Sequence, residues 1–308
     1  MTRLHANALL FLAASCWGAG NVAQKTVLDD LGPILAMGLR STIAFIVIAP
    51  LLWREAKALA PPTARQRWAL ARVSVSFVLA LAFQQLAYGG TTVTNASFLV
   101  NTTVVFTPVL AWLMVRERPD LVLVPSVGLA ACGILLMSGG LSALRWGDAT
   151  CLVSAVLYSV WIVLVANVAR EFDRPLTIAG CQFCLAAIVG TTFGLAYEKV
   201  SLQALEAAAP ELAMLGVIST GVAFTLQAVA QRYTSPSHAA IIMSAESIFG
   251  AIAAAMLLGE QISLTNGIGA TMILGSIVLV QLPARSPFGR RLASLVGAPH
   301  FIGGLNRH

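Results

Sequence analysis

The sequence predicts an all-α membrane protein with ten transmembrane helices in a five-plus-five inverted repeat, and four observations carry that prediction. Only 10% of its 308 residues are charged, against 58% hydrophobic, where soluble domains carry about a quarter charged. A mean hydropathy of +0.83 leaves too few polar side chains to clothe a soluble fold of this length. Apolar runs of about 20 residues, the length a helix needs to cross the hydrocarbon core, occur ten times with short connections. Finally, the second half of the chain overlays the first at a nearly constant offset.

The runs span residues 4–27, 33–53, 68–88, 92–115, 121–141, 150–168, 175–197, 212–231, 236–258 and 264–282. No water in the bilayer core can satisfy their amides, and none shows the alternation of a barrel strand, so all are read as helices. Arg3 and the small residues Ala13, Ala14 and Ser15 ahead of Cys16 loosely resemble a cleaved lipoprotein leader. The run stays apolar past Cys16 and nine more follow, so it is read as the first span. The five cysteines all fall within spans, where disulfides are not expected; Cys181 and Cys184, at redox or metal spacing but without His or carboxylate neighbours, read as small packing residues.

The net charge of +6 does not mark a nucleic-acid surface, because the basic residues fall in short clusters between apolar runs and form no stripe with stacking aromatics. They sort by membrane face. With a cytoplasmic amino terminus, 15 of the 19 Lys and Arg lie on the cytoplasmic side, from Arg3 through Arg54, Arg116, Arg118, Arg170 and Arg232 to the tail; Lys25, Arg145 and Lys199 lie opposite, and Arg40 lies inside the second span. The bias places both termini in the cytoplasm.

The internal register sets Trp17 on Tyr158 and Asn7 on Asp148 at an offset of 141, Pro33 on Pro175 at 142, and Gln84 on Gln227, Ala96 on Ala239 and Glu117 on Glu260 at 143. The units run 1–143 and 144–283, with a tail at 284–308. Five spans per unit is an odd number, so the second unit enters the membrane from the opposite side. Inverted repeats support two exchanging states with the substrate site near the midplane. Five-plus-five architecture, with each unit closing on a span that starts at Ala and ends in an acid (Ala96 to Glu117, Ala239 to Glu260), resembles the EamA family of the drug/metabolite transporter superfamily. The resemblance covers residues 4–282. It implies a bacterial inner-membrane exporter of amino acids or other small metabolites, with spans three, four, eight and nine framing a central cavity. That family often carries Glu-Pro in the ninth span, whereas Glu246 here precedes Ser247 and supplies no proline to break the helix.

Polar side chains inside the bilayer need a partner or a water-filled cavity. Gln84, Gln85, Tyr88, Asn101, Gln227, Ser244 and Glu246 are therefore the candidate substrate-binding residues, Gln85 and Tyr88 sharing a helix face with Leu81. Asn95, Thr102 and Thr103 belong to the same polar group. Trp17, Tyr158 and Trp161 sit mid-span, away from the interfacial belt read for Trp53, Trp68 and Trp146, and can wall a substrate side chain. Pro108, which lacks a main-chain donor, is the candidate gate. Arg40 and Glu246 are the two intramembrane charges. They are read as a structural ion pair or as groups for a substrate carboxylate and an ammonium or coupling proton; a second span packs outside the cavity, which favours a structural Arg40. His238 reads as interfacial and not as a relay.

Two charges suit a small neutral substrate, an amino acid above all. Phosphorylated sugars would need several inward cations. An oilier lumen would suit lipophilic drugs or cations, the alternative substrate class. An intramembrane enzyme is the remote alternative, since no mid-span nucleophile and base, Asp pair or metal set appears. No cofactor or metal is expected; the expected partners are the substrate, the lipid bilayer and protons as a coupling ion. The stretch from Phe288 to Leu305, mixing Arg with apolar residues, is expected on the membrane surface.

Overall fold

A computed structural model of the protein describes residues 1–91, 93–117, 122–137, 145–258 and 263–281, without side chains at 93–95, 98, 137, 258 and 281. Arg118, Glu260, the side chain of Asn95 and the tail with its expected surface segment thus lie outside the described residues. Among those residues every regular element is helical. Seven of the expected runs form helical stretches long and apolar enough to cross a membrane; the fourth, fifth and tenth are represented by shorter apolar helices, Leu99–Val115, Leu123–Leu136 and Leu264–Val280.

Local chemistry sets the ends. α1 (Arg3–Thr26) starts at Thr2, whose hydroxyl accepts the His5 amide. α2 (Pro33–Ala58) starts with proline at its first position, where the missing donor is no loss. α3 (Ala64–Tyr88) begins with a reciprocal Thr63 and Gln66 capping box. α4 (Val93–Asn101), α5 (Thr103–Val115) and α6 (Leu123–Met137) follow, then α7 (Trp146–Phe172), which ends on Asp173 in the left-handed region at φ 50°. α8 (Pro175–Tyr197) again starts on proline. α9 (Leu202–Ala207) and α10 (Ala209–Ala213) lead into a π-helical stretch, Met214–Val222, that continues as α11 (Ala223–Ala230). α12 (Pro236–Met243), capped by Ser235, precedes α13 (Glu246–Leu258) and α14 (Leu264–Gln281).

α2 and α8 form the tightest seam. The backbones of Gly38 and Gly190 lie against each other, so that a Cβ on either would overlap the other's main chain; small residues permit such approach between helices in lipid. Carboxylates clamp both ends. Glu55, late in α2, accepts from the Leu176 and Thr177 amides opening α8 (3.1 and 2.6 Å) and from the Thr177 hydroxyl (2.5 Å). Glu198, directly after α8, accepts from the Ile34 and Leu35 amides opening α2 (2.9 and 2.7 Å). Each clamp satisfies first-turn donors that a helix cannot bond internally and sets a negative charge on the positive end of its dipole. Glu55 and Glu198 stand 143 residues apart, at the offset of the internal register. Elsewhere α3 packs on α7 and α8, α6 on α14, and α1 on α11 and α13.

Two expected spans are not continuous. The fourth breaks at Thr102, six residues before Pro108, which sits inside α5. Proline removes the bond its own nitrogen would make one turn back, but the helix is interrupted earlier, where bonding tightens to three-residue steps: Thr102 N to Leu99 O (3.2 Å) and Val105 N to Thr102 O (2.9 Å). The Thr102 hydroxyl returns to the Leu99 carbonyl at 2.5 Å and competes with the helical ladder. The ninth breaks in the same way at Ser244 and Ala245, with no proline: Ala245 N bonds Ile242 O (3.3 Å), Ser247 N bonds Ser244 O (3.1 Å), and the Ser244 hydroxyl returns to Ile241 O (2.6 Å). The fourth span is thus interrupted at Thr102 while Pro108 sits inside α5, and the ninth is interrupted at Ser244 and Ala245 without a proline.

Candidate substrate cavity

A small cavity opens between α1, α2, α3, α5, α7, the π-helical stretch, α11 and the two breaks. Of the residues expected from the sequence, Trp17, Gln84, Asn101, Tyr158, Trp161, Gln227 and Glu246 line it. Glu246 opens α13 and Thr103 opens α5, so the cavity meets the starts of both half-helices. Discontinuous helices of this kind satisfy their freed backbone groups only where they face protein or a cavity, and they mark transport sites.

The aromatic wall is organised on Phe224. Trp17 lies 4.9 Å from it between centroids, Trp161 5.4 Å edge to face, and Tyr158 6.5 Å in a stack; Phe77 closes the cluster from behind at 4.9 Å. Polar handles hold these rings in place. The Trp17 indole donates to Ser219 O (2.9 Å), the Tyr158 hydroxyl to Gln84 Oε1 (2.7 Å), and the Trp161 indole to Gln182 Oε1 (2.9 Å).

Arg40 reaches the cavity from α2 and is 1% exposed. Its Nε donates to Thr220 Oγ1 (2.8 Å), Nη1 to Gln24 Oε1 (3.0 Å) and Nη2 to Ser219 Oγ (3.1 Å). Glu246 accepts from Asn21 Nδ2 (3.0 Å), which also donates to Ser97 Oγ (3.1 Å). The two charges do not pair: among the described residues the ion pairs are Arg65 with Glu171 and Arg232 with Asp173. The expected mutual ion pair is thus absent, and so is the expected exclusion of the second span. A guanidinium on a long side chain spans the distance that keeps the α2 backbone away from the lumen. Three of its five N–H donors are used, all on neutral oxygens. Gln24 Nε2 and Gln227 Oε1, both on cavity-lining residues, have no partner among the described residues, and buried polar groups without partners are costly unless a ligand or water meets them.

Three expected residues lie outside the lining. Gln85, fully buried, donates to the Gln24 carbonyl at 3.5 Å, and Tyr88 donates to Asn21 Oδ1 at 3.2 Å. Both face α1 and hold its polar face in position from behind. The Ser244 hydroxyl is consumed by its own break. Asn21 and Gln24 were missed, although Trp17, Asn21 and Gln24 follow an i, i+4, i+7 spacing that marks one helix face. Ser219 and Phe224 carry no such signal, because the intervening π-helical stretch shifts the angular register.

Comparison with known proteins agrees with this architecture. The profile of the EamA-like transporter family matches residues 5–139 and again residues 145–282. A protein of Archaeoglobus fulgidus described as an uncharacterized transporter is 27% identical over 91% of this chain and 87% of its own. One of Salmonella typhimurium, described as the uncharacterized inner membrane transporter YicL, is 23% identical over 90% of this chain and 95% of its own. A solved crystal structure superposes with a TM-score of 0.77 at 17% identity, covering 94% of this chain and 99% of that one, a likeness of fold. Apolar helices in number, a polar cavity at two helix breaks and a family match over both halves lead to one assignment: the chain belongs to the EamA-like transporter family and is a multi-pass membrane transporter, not an enzyme.

Proposed function

We propose that this transporter exports small neutral metabolites, amino acids with aromatic or other apolar side chains, by alternating access in a bacterial inner membrane, with both termini cytoplasmic. The observation that carries the substrate class is that Arg40 and Glu246 line one cavity and that, among the described residues, neither forms an ion pair with an opposite charge. A buried ion without a counter-ion costs several kcal/mol. A zwitterion supplies both counter-ions at once: its carboxylate meets the two unspent Arg40 donors and the Gln24 amide, and its ammonium meets Glu246. The Trp17, Tyr158, Trp161 and Phe224 wall then receives an apolar side chain. With one cation, the cavity lacks the basic groups that a phosphorylated sugar needs. A carboxylate beside aromatic rings also suits a lipophilic cation, and Arg40 opposes that reading.

Support for ten spans in a five-plus-five inverted repeat, with units at 1–143 and 144–283, comes from the twofold family match, from the reciprocal Glu55 and Glu198 clamps, and from the paired breaks at Thr102 and Ser244. Two units with near-equivalent internal bonding give two states of similar energy, which alternating access requires. In proteoliposomes, unlabelled neutral amino acid inside should drive uptake of the same labelled amino acid. Exchange confined to lipophilic cations, with none for any neutral amino acid, would replace this reading by the drug-exporter one.

A further inference from the structure

Outside the cavity the two ends of the bundle carry the same unusual bond. At one end the Thr91 hydroxyl, on the link between α3 and α4, donates to Asp148 Oδ1 at the start of α7 (2.5 Å). At the other the Thr234 hydroxyl, on the link between α11 and α12, donates to Asn7 Oδ1 near the start of α1 (3.2 Å). Thr91 and Thr234 stand 143 residues apart, Asn7 and Asp148 141. The threonine carbonyls repeat the correspondence. Lys25, at the end of α1, donates to Thr91 O (3.4 Å) and Tyr88 O (2.7 Å), and Arg170, at the end of α7, donates to Thr234 O (2.8 Å). All four bonding side chains of the two threonine–amide and threonine–carboxylate pairs are buried. Each threonine thus ties its own unit to the other through its hydroxyl, and its carbonyl is held by a cation of its own unit.

We propose that these are the two gate latches of the transporter, Thr91 with Asp148 closing one face and Thr234 with Asn7 closing the other. Eighteen residues of α1 separate Asn7 from Lys25, about 27 Å at the helical rise, so the latches sit near opposite boundaries of a hydrocarbon core about 30 Å thick with the cavity between them. Both link units, so rocking one unit against the other about the clamped α2 and α8 seam must break one latch while the other holds. Both bonds are formed in this structure. The inference rests on the alternating-access reading and not on the identity of the substrate.

The test needs no substrate. In a chain whose five native cysteines are replaced by serine or alanine, Asn101→Cys places a reporter in the cavity, and its labelling by a membrane-impermeant maleimide is timed in right-side-out and in inverted vesicles. Thr91→Val should raise labelling from the Thr91 face and lower it from the other, and Thr234→Val should do the reverse, each by about fivefold, the weight of one lost hydrogen bond. Thr91→Ser and Thr234→Ser should keep the starting rates. Should the valine variants fail to reach the membrane folded, oxidative cross-linking of Thr91→Cys with Asp148→Cys, and separately of Asn7→Cys with Thr234→Cys, gives the same answer: each bridge should leave labelling only from the opposite face. Rates that move towards the same face in both variants, that do not move, that serine fails to restore, or that ignore both bridges would overturn the latches. Reporter labelling from both faces at once in every variant would instead reject alternating access, and failed amino-acid counterflow with intact reciprocal labelling would reject only the substrate.

Discussion

Arg40 is the residue on which the substrate class turns. It is buried, held by three neutral oxygens, and lines a cavity that Glu246 also lines. Charge-assisted hydrogen bonds contribute about 1.5–3 kcal/mol each, so Arg40→Gln should raise the KM for a neutral amino acid on the order of 10- to 100-fold while transport of its carboxamide changes little. Arg40→Lys should restore the charge but not the forked geometry and so recover only part of the affinity. An unchanged KM in Arg40→Gln would make the guanidinium structural. Reading the sequence located Glu246, Trp17, Tyr158 and both Gln84 and Gln227, because polar and aromatic residues stand out against an apolar span. It placed Arg40 among structural residues, since the span carrying it is peripheral and only the length of the side chain brings the charge to the lumen. It also placed Gln85 and Tyr88 in the cavity. Helical spacing shows that two side chains share a face but not whether that face meets a void or another helix, here α1.

At the scale of elements, the α2 and α8 seam is the part of the molecule best built to stay fixed. Glu55→Gln and Glu198→Gln should each lower thermal stability in detergent by a similar amount, since each removes the charge from an equivalent clamp on a helix start, an effect of about 1–2 kcal/mol in partly buried settings. The double variant should lose close to the sum, as the sites lie at opposite ends of the seam. A measured melting curve unmoved by either change would show that packing at Gly38 and Gly190 suffices. Seven of the spans were legible to within about five residues because lipid imposes length and continuous hydrophobicity on them, while the fourth, fifth and tenth correspond to shorter apolar helices. The breaks were not. They coincide with the hydroxyls of Thr102 and Ser244 bonding backward, but Ser15 and Ser276 make the same bond inside unbroken helices, so serine or threonine in a membrane helix carries no signal that distinguishes a break from an ordinary packing contact. Pro108 has that signal, yet it sits in unbroken helix.

For the whole molecule, the proposed alternating access combines a static seam, a cavity at two breaks and a latch at each end. The proposed ten-span topology, with the sorting of basic residues to one side, puts both termini on the cytoplasmic face; a reporter active only in the cytoplasm should then work when fused at either end, and activity at one end alone would require an odd number of crossings. Selection of a zwitterion by the cavity is tested by counterflow in proteoliposomes in which the two charges of the ligand are removed one at a time. Labelled phenylalanine should be taken up against internal phenylalanine, and internal phenylalaninamide or 3-phenylpropionate, which lack the carboxylate and the ammonium respectively, should drive at least tenfold less uptake, as expected from losing about 1.4 kcal/mol or more of charge pairing. Uptake driven equally well by the amide, or by a lipophilic cation, would contradict the account.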